Sequence, residues 1–161
     1  MSRRGVSAIA ACLVLSVTLS AVPADMAMYV GGTIPNLKDK TEGKLSTSSS
    51  STLTFQAKDD APISIPYKTV TSLEYGQKAG RRVGVAILIS PLALFSKKRK
   101  HYLTVTYMDG KAEQAAVFEL GKDIVRTTLT VLQVRTGKDV EYQDAEACKQ
   151  FKTPKECEAS K

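Results

Sequence analysis

Histidine occurs once in this chain, at position 101, and no Asp or Glu lies between Glu74 and Asp109. A single histidine with no Ser-x-Gly elbow around it and no acid pair at metal-ligand spacing leaves out the common nucleophilic and metal-hydrolytic constellations. Asp59-Asp60 has no further oxygen ligands nearby, so it reads as turn chemistry rather than a calcium loop. Gly31-Gly32 is not followed by a lysine-bearing helix, so it is no phosphate loop. The expectation is a non-enzymatic protein with no cofactor and no metal. Cysteine is also scarce, with Cys12, Cys148 and Cys157 the only ones.

What is present begins with a three-part leader. Arg3 and Arg4 are followed by the uncharged, apolar or small stretch Ser7 to Val22, and then by Val22-Pro23-Ala24 before Asp25. This is the pattern of a cleaved secretory signal over residues 1–24, and at 16 residues the apolar stretch is short for a span of about 20. It predicts an exported protein of the periplasm or cell envelope of a bacterium. Cleavage leaves 137 residues, enough for one domain with a modest core, and lowers the formal net charge from +7 to +5.

That charge is concentrated. The acid-free window holds Lys78, Arg81, Arg82, Lys97, Lys98, Arg99 and Lys100, seven cations against a mature net charge of +5. The rest of the chain is therefore slightly acidic. Inside the same window lies Val83 to Phe95, whose Val85, Ile87, Leu88, Ile89, Leu92, Leu94 and Phe95 are large and apolar. Leaving each in water forgoes about 1.5 to 3 kcal/mol, so the set demands a cover. Three covers remain open: the protein's own core, a partner or second copy, or a lipid interface. Thirteen residues split by Pro91 cannot cross a bilayer as one helix. An apolar segment beside Lys97–Lys100, with Arg81 and Arg82 in support, is the two-signal arrangement of peripheral attachment to anionic lipid. An envelope protein is the alternative partner, and export argues against nucleic acid.

Along the chain, Tyr29–Ile34 reads as a strand with a glycine bulge. Gly43–Thr47 and Thr52–Ala57 form a hairpin around the serine run. Ile63–Tyr67 and Val70–Tyr75 continue in β-rich sequence, with Pro66 at an edge or break. His101–Tyr107 and Glu113–Leu120 flank an Asp109-Gly110 turn. Lys122–Thr136 is the one good helix, with Val125, Leu129 and Leu132 on one stripe and Gly137 as its stop. The prediction is α+β: a small antiparallel barrel or sandwich of six to seven strands, capped by one C-terminal amphipathic helix. After Tyr142 the composition turns polar, and residues 143–161 read as a tail outside the core. Nine residues separate Cys148 from Cys157, with Pro154 between them to bend the chain. A disulfide loop is feasible there; two free thiols are the alternative.

The stretches Ile65-Pro66-Tyr67, Leu73-Glu74-Tyr75-Gly76 and Lys97 to Tyr107, followed by a hairpin and a helical end, resemble bacterial pleckstrin-homology-like or GRAM-like domains. They look most like those of exported proteins in acidobacteria-like genomes. The resemblance covers residues 29–142 and implies a fold that serves lipid, peptide and protein binding rather than one activity.

Overall fold

The structure is a computed structural model that describes residues 26–35, 37–58, 60–77, 100–152 and 157. The expected leader, the apolar run Val85 to Phe95, and Arg81, Arg82, Lys97, Lys98 and Arg99 lie outside the described residues. Eight strands form one sheet: β1 Met26–Gly32, β2 Thr41–Ser46, β3 Thr52–Ala57, β4 Ile63–Pro66, β5 Val70–Gly76, β6 His101–Asp109, β7 Ala112–Leu120 and β8 Val140–Tyr142. Their order is β4-β3-β2-β1-β7-β6-β5-β8. All neighbours are antiparallel except β5 and β8, which run parallel.

The connection from β4 to β5 dictates the shape. These strands stand six places apart in the sheet, which in a flat sheet is about 29 Å. They are joined only by the 3-10 turn Tyr67–Thr69, and such a link reaches about 14 Å at most. The sheet must therefore roll until its ends approach, giving an α+β half-barrel with one concave face. Strand alternation sends Leu45, Leu53, Phe55, Ile65, Leu73, Tyr75, Leu103, Val105 and Phe118 to that face, where they form the main core. Phe118 sits at its centre, 5.2 Å from Phe55 and 6.0 Å from Tyr29 between ring centroids.

Helix α1 (Val125–Thr136) closes the open side, burying Val125, Thr128, Leu129 and Leu132. It stops as its sequence demands. Gly137 adopts φ +67° and donates its N–H to the Gln133 carbonyl, a left-handed cap that glycine takes without steric cost. The helix starts later than periodicity predicts, at Val125 rather than Lys122, which leaves Asp123 in the preceding turn. Arg135 near its end donates to the Thr47 and Ser49 carbonyls and to the Tyr67 hydroxyl, tying α1 to the β2–β3 hairpin and the 3-10 turn.

Three expectations need correction. Among the described residues the sheet has eight strands rather than six or seven, because Val140–Tyr142 adds a short parallel strand to β5. Among those residues the strands form one sheet curled into a half-barrel, short of a full barrel and unlike a two-layer sandwich. And the polar stretch after Tyr142 reaches the core. Helix α2 (Ala145–Lys149), capped by the Asp144 carboxylate on the Ala147 N–H, buries Ala147 and Cys148, and Phe151 packs against the main core. Its apolar residues are few and interrupted by charges, so composition hides them.

Candidate functional site

The sequence directs attention to the β5–β6 connection, and the sheet fixes where that connection begins and ends. Gly76, the last residue of β5, pairs with Tyr102 in β6. Both ends of the 78–99 stretch are therefore anchored at one corner of the sheet. Lys100, the described member of the basic cluster, stands immediately before β6. Its Nζ lies 2.8 Å from Glu119 Oε2 of β7, with both side chains partly exposed. This cation is thus already paired, while the rest of the cluster lies outside the described residues.

Just behind that corner is a group of side chains that sequence patterning does not single out. Tyr75, fully buried on the core side of β5, meets the Phe151 ring edge-on at 4.9 Å and the Tyr142 ring edge-on at 6.1 Å. Its hydroxyl donates to Gln150 Oε1 at 3.0 Å and lies 2.6 Å from His101 Nδ1. A phenol carries one proton. With that proton given to Gln150, Nδ1–H of His101 donates to the phenol oxygen, so the neutral imidazole keeps its free lone pair on Nε2. Burial, with help from Lys122 and against the pull of Glu119, lowers the His101 pKa below its ordinary 6.5. Burial first, then Tyr142 and Asp144, pushes the Tyr75 hydroxyl well above its ordinary 10. A neutral imidazole against an unionised phenol is a structural pair; the phenol is no activated nucleophile.

Basic side chains rim this group. The Arg126 guanidinium sits 5.5 Å from the Phe151 centroid and donates to the Gln150 carbonyl at 3.1 Å. The Lys152 ammonium sits 5.5 Å from the Tyr142 centroid. Cys148 and Cys157 are disulfide-bonded, with Cα atoms 5.8 Å apart, and close a loop that contains Gln150 and Phe151. Tyr142 and Phe151 on either side of Cys148 were the available signal for this group, diluted by the charges between them.

Two shallow clefts open elsewhere on the described surface. One, of about 370 Å³, lies between Ser46–Ser48 and Asp123, just before α1, with Thr127 and Thr128 in its first turn. The other, of about 230 Å³, lies at the end of the sheet between Met26, Met28, Glu42 and Glu119. No group of three His, Cys, Asp or Glu side chains suited to a metal ion occurs among the described residues. No helix among them is long and apolar enough to cross a membrane.

No family model matches the chain, and no curated protein matches it. Among solved structures it is similar to a chain of the Spt16D Pob3N heterodimer, at TM-score 0.42 and 5% sequence identity. The match covers 74% of this chain and 54% of the other, so this chain spans about half the length of that one.

Proposed function

We propose that this protein is an exported, non-enzymatic binding module of the pleckstrin-homology-like kind that attaches peripherally to an anionic membrane surface. The contact is the β5–β6 connection: Arg81, Arg82 and Lys97–Lys100 supply the attraction, and the apolar run between them is the second signal. One observation carries the reading. Gly76 pairs with Tyr102, so the acid-free window holding seven cations leaves and rejoins the sheet at a single corner. Attraction that would be diluted along an extended chain is thereby tethered to one place.

The magnitudes are modest and suit reversible attachment. Each lysine or arginine close to an anionic surface contributes about 1 kcal/mol. Lys100 is engaged by Glu119, so Lys97, Lys98 and Arg99 supply about 3 kcal/mol rather than about 4 from the whole cluster. Charge on this scale needs a second signal to hold a protein at a membrane.

Co-sedimentation of the protein with neutral and anionic liposomes, at low and high salt, tests the proposal. The comparison is a variant carrying Lys97→Gln, Lys98→Gln, Arg99→Gln and Lys100→Gln. Pelleting that requires anionic lipid, fades with salt and disappears in the variant is the expected result. Absence of pelleting under every condition sinks the membrane reading and turns attention to an envelope protein as the partner.

A further inference from the structure

Strand β1 sends alternate side chains to opposite faces of the sheet. Ala27 and Tyr29 join the main core, so Met26, Met28 and Val30 belong to the outer face. Val30, Val117 and Tyr102 form a second buried cluster there, and half-buried Met28 packs against it. Toward the start of β1 this face opens. Met26 is 41% exposed and, with Val134, is one of the two exposed large apolar side chains among the described residues. Sheet register sets charges around the two methionines. Met28 pairs with Glu42 of β2 on one side and with Glu119 of β7 on the other, and Met26 pairs with Lys44. Paired side chains share a face, with Cβ atoms about 5 Å apart. The cleft of about 230 Å³ at this end of the sheet is lined by Met26, Met28, Glu42 and Glu119.

Two thioethers and two carboxylates therefore face one small cleft, and the donor set decides what it can hold. Calcium takes six to eight oxygens, whereas this cleft offers two carboxylate side chains. One of them, Glu119, already has the Lys100 ammonium 2.8 Å from its Oε2. With Lys44 beside Met26, two lysines balance the two acids, so the field suits a monovalent ion better than a hard divalent one. Thioether sulfur is soft and polarisable, and it selects copper(I). Cys148 and Cys157 are bonded to each other, which leaves methionine as the soft donor among the described residues. Two of the three described methionines, Met26 and Met28 but not Met108, come together here.

We propose that Met26 and Met28, together with the Glu42 carboxylate, bind a soft monovalent cation of the copper(I) class in this cleft. The two methionines stand two residues apart on one strand face, with Cα atoms about 7 Å apart. Each side chain has three rotatable bonds, enough to turn both sulfurs toward one ion between them. Glu42, directly opposite Met28, supplies the charge that a cation bound only through thioethers would lack. Histidine, cysteine and acid spacing carry no trace of such a site, which is why the sequence predicts no metal. The proposal does not rest on membrane attachment, and its test contains no lipid.

Silver(I), an air-stable ion of the same class, is the probe. It is titrated in chloride-free buffer into the full chain carrying isotope-labelled methionine methyls, read by NMR. The Met26 and Met28 signals are expected to move together and saturate at one equivalent. Met108, which pairs with Glu113 at the other end of β6, should stay in place. Magnesium at the same concentration should move none of the three. Met28→Leu keeps the side-chain volume, and both it and Glu42→Gln should weaken silver binding at least about tenfold, the lower end of what even an outer-shell partner is worth to a metal site. An unchanged urea midpoint in each variant separates lost binding from lost folding. Parallel movement of all three methyls, first uptake at the His101 ring, an equal response to magnesium, or undiminished affinity in either variant would each overturn the proposal.

Discussion

His101 Nδ1 lies 2.6 Å from the Tyr75 hydroxyl oxygen, and this bond links the first residue of β6 to a side chain buried in β5. The two residues sit beside the 78–99 connection. Their geometry therefore bears on how firmly the sheet corner formed by Gly76 and Tyr102 is held. Gln150 completes the group from the chain beyond α2, so the C-terminal part of the protein is wired to the same corner.

That group predicts a stability change with acid. Burial holds the His101 pKa below its ordinary 6.5, so the folded state binds this proton less readily than the unfolded chain. Stability from the neutral imidazole is then full above 6.5 and is lost as the pH falls from there through the lower folded value. Urea midpoints of the wild type should drop between pH 7.5 and pH 5 more than those of His101→Gln, whose amide can still donate to the phenol. An equal drop in both would remove His101 as the titrating group.

Gly32 is a position where the backbone tolerates no side chain. It adopts φ +145° at the end of β1, and a Cβ there would overlap the Ala115 carbonyl oxygen, which accepts the Thr33 N–H at 2.8 Å. Both the conformation and the contact oppose a side chain. Gly32→Ala should cost about 1 to 3 kcal/mol, measured by chemical denaturation. A cost below about 0.5 kcal/mol, the scale of an ordinary surface change, would show that the β1–β7 edge relaxes freely.

Arg135 is exposed, yet it bridges three elements. Besides its bonds to the Thr47 and Ser49 carbonyls, its guanidinium lies 5.5 Å from the Tyr67 centroid. Arg135→Ala should destabilise by about 1 to 2 kcal/mol, and Arg135→Lys should recover only part, because a lysine cannot reproduce the planar fork. Faster amide exchange confined to Thr47–Ser51 and the 3-10 turn would accompany the loss.

Most of this architecture was legible in the sequence because strand alternation and helix periodicity report one buried face at a time. The hairpin of β2 and β3, the β6–β7 pair and the α1 stripe follow that rule, although Gly110 and Lys111, rather than Asp109 and Gly110, make the β6–β7 turn. Besides the core packing of Ala147, Cys148 and Phe151, two features escaped. Strand β8 has only three residues and gains its place from β5, a long-range pairing that local pattern does not carry. The second buried face was written in Ala115-Ala116-Val117-Phe118, where apolar residues occupy both faces in succession, yet such a run reads equally as a single core strand. The candidate site divides the same way. The basic cluster is visible as composition, whereas the Tyr75–His101–Gln150 group joins residues 26 and 75 positions apart.

The disulfide supplies the last prediction. Cys148 and Cys157 close a short loop that contains Phe151, which packs on Tyr75. A loop of this length restricts the unfolded chain enough to contribute about 2 to 3 kcal/mol. Cys148→Ser with Cys157→Ser should lower stability by that amount. Because Gln150 and Phe151 sit inside the closed loop, the amides of Tyr142–Phe151 should lose exchange protection first, ahead of β6 and β7. Loss spread evenly over the sheet would instead mean that the loop stabilises the whole fold, with no special hold on the Tyr75 group.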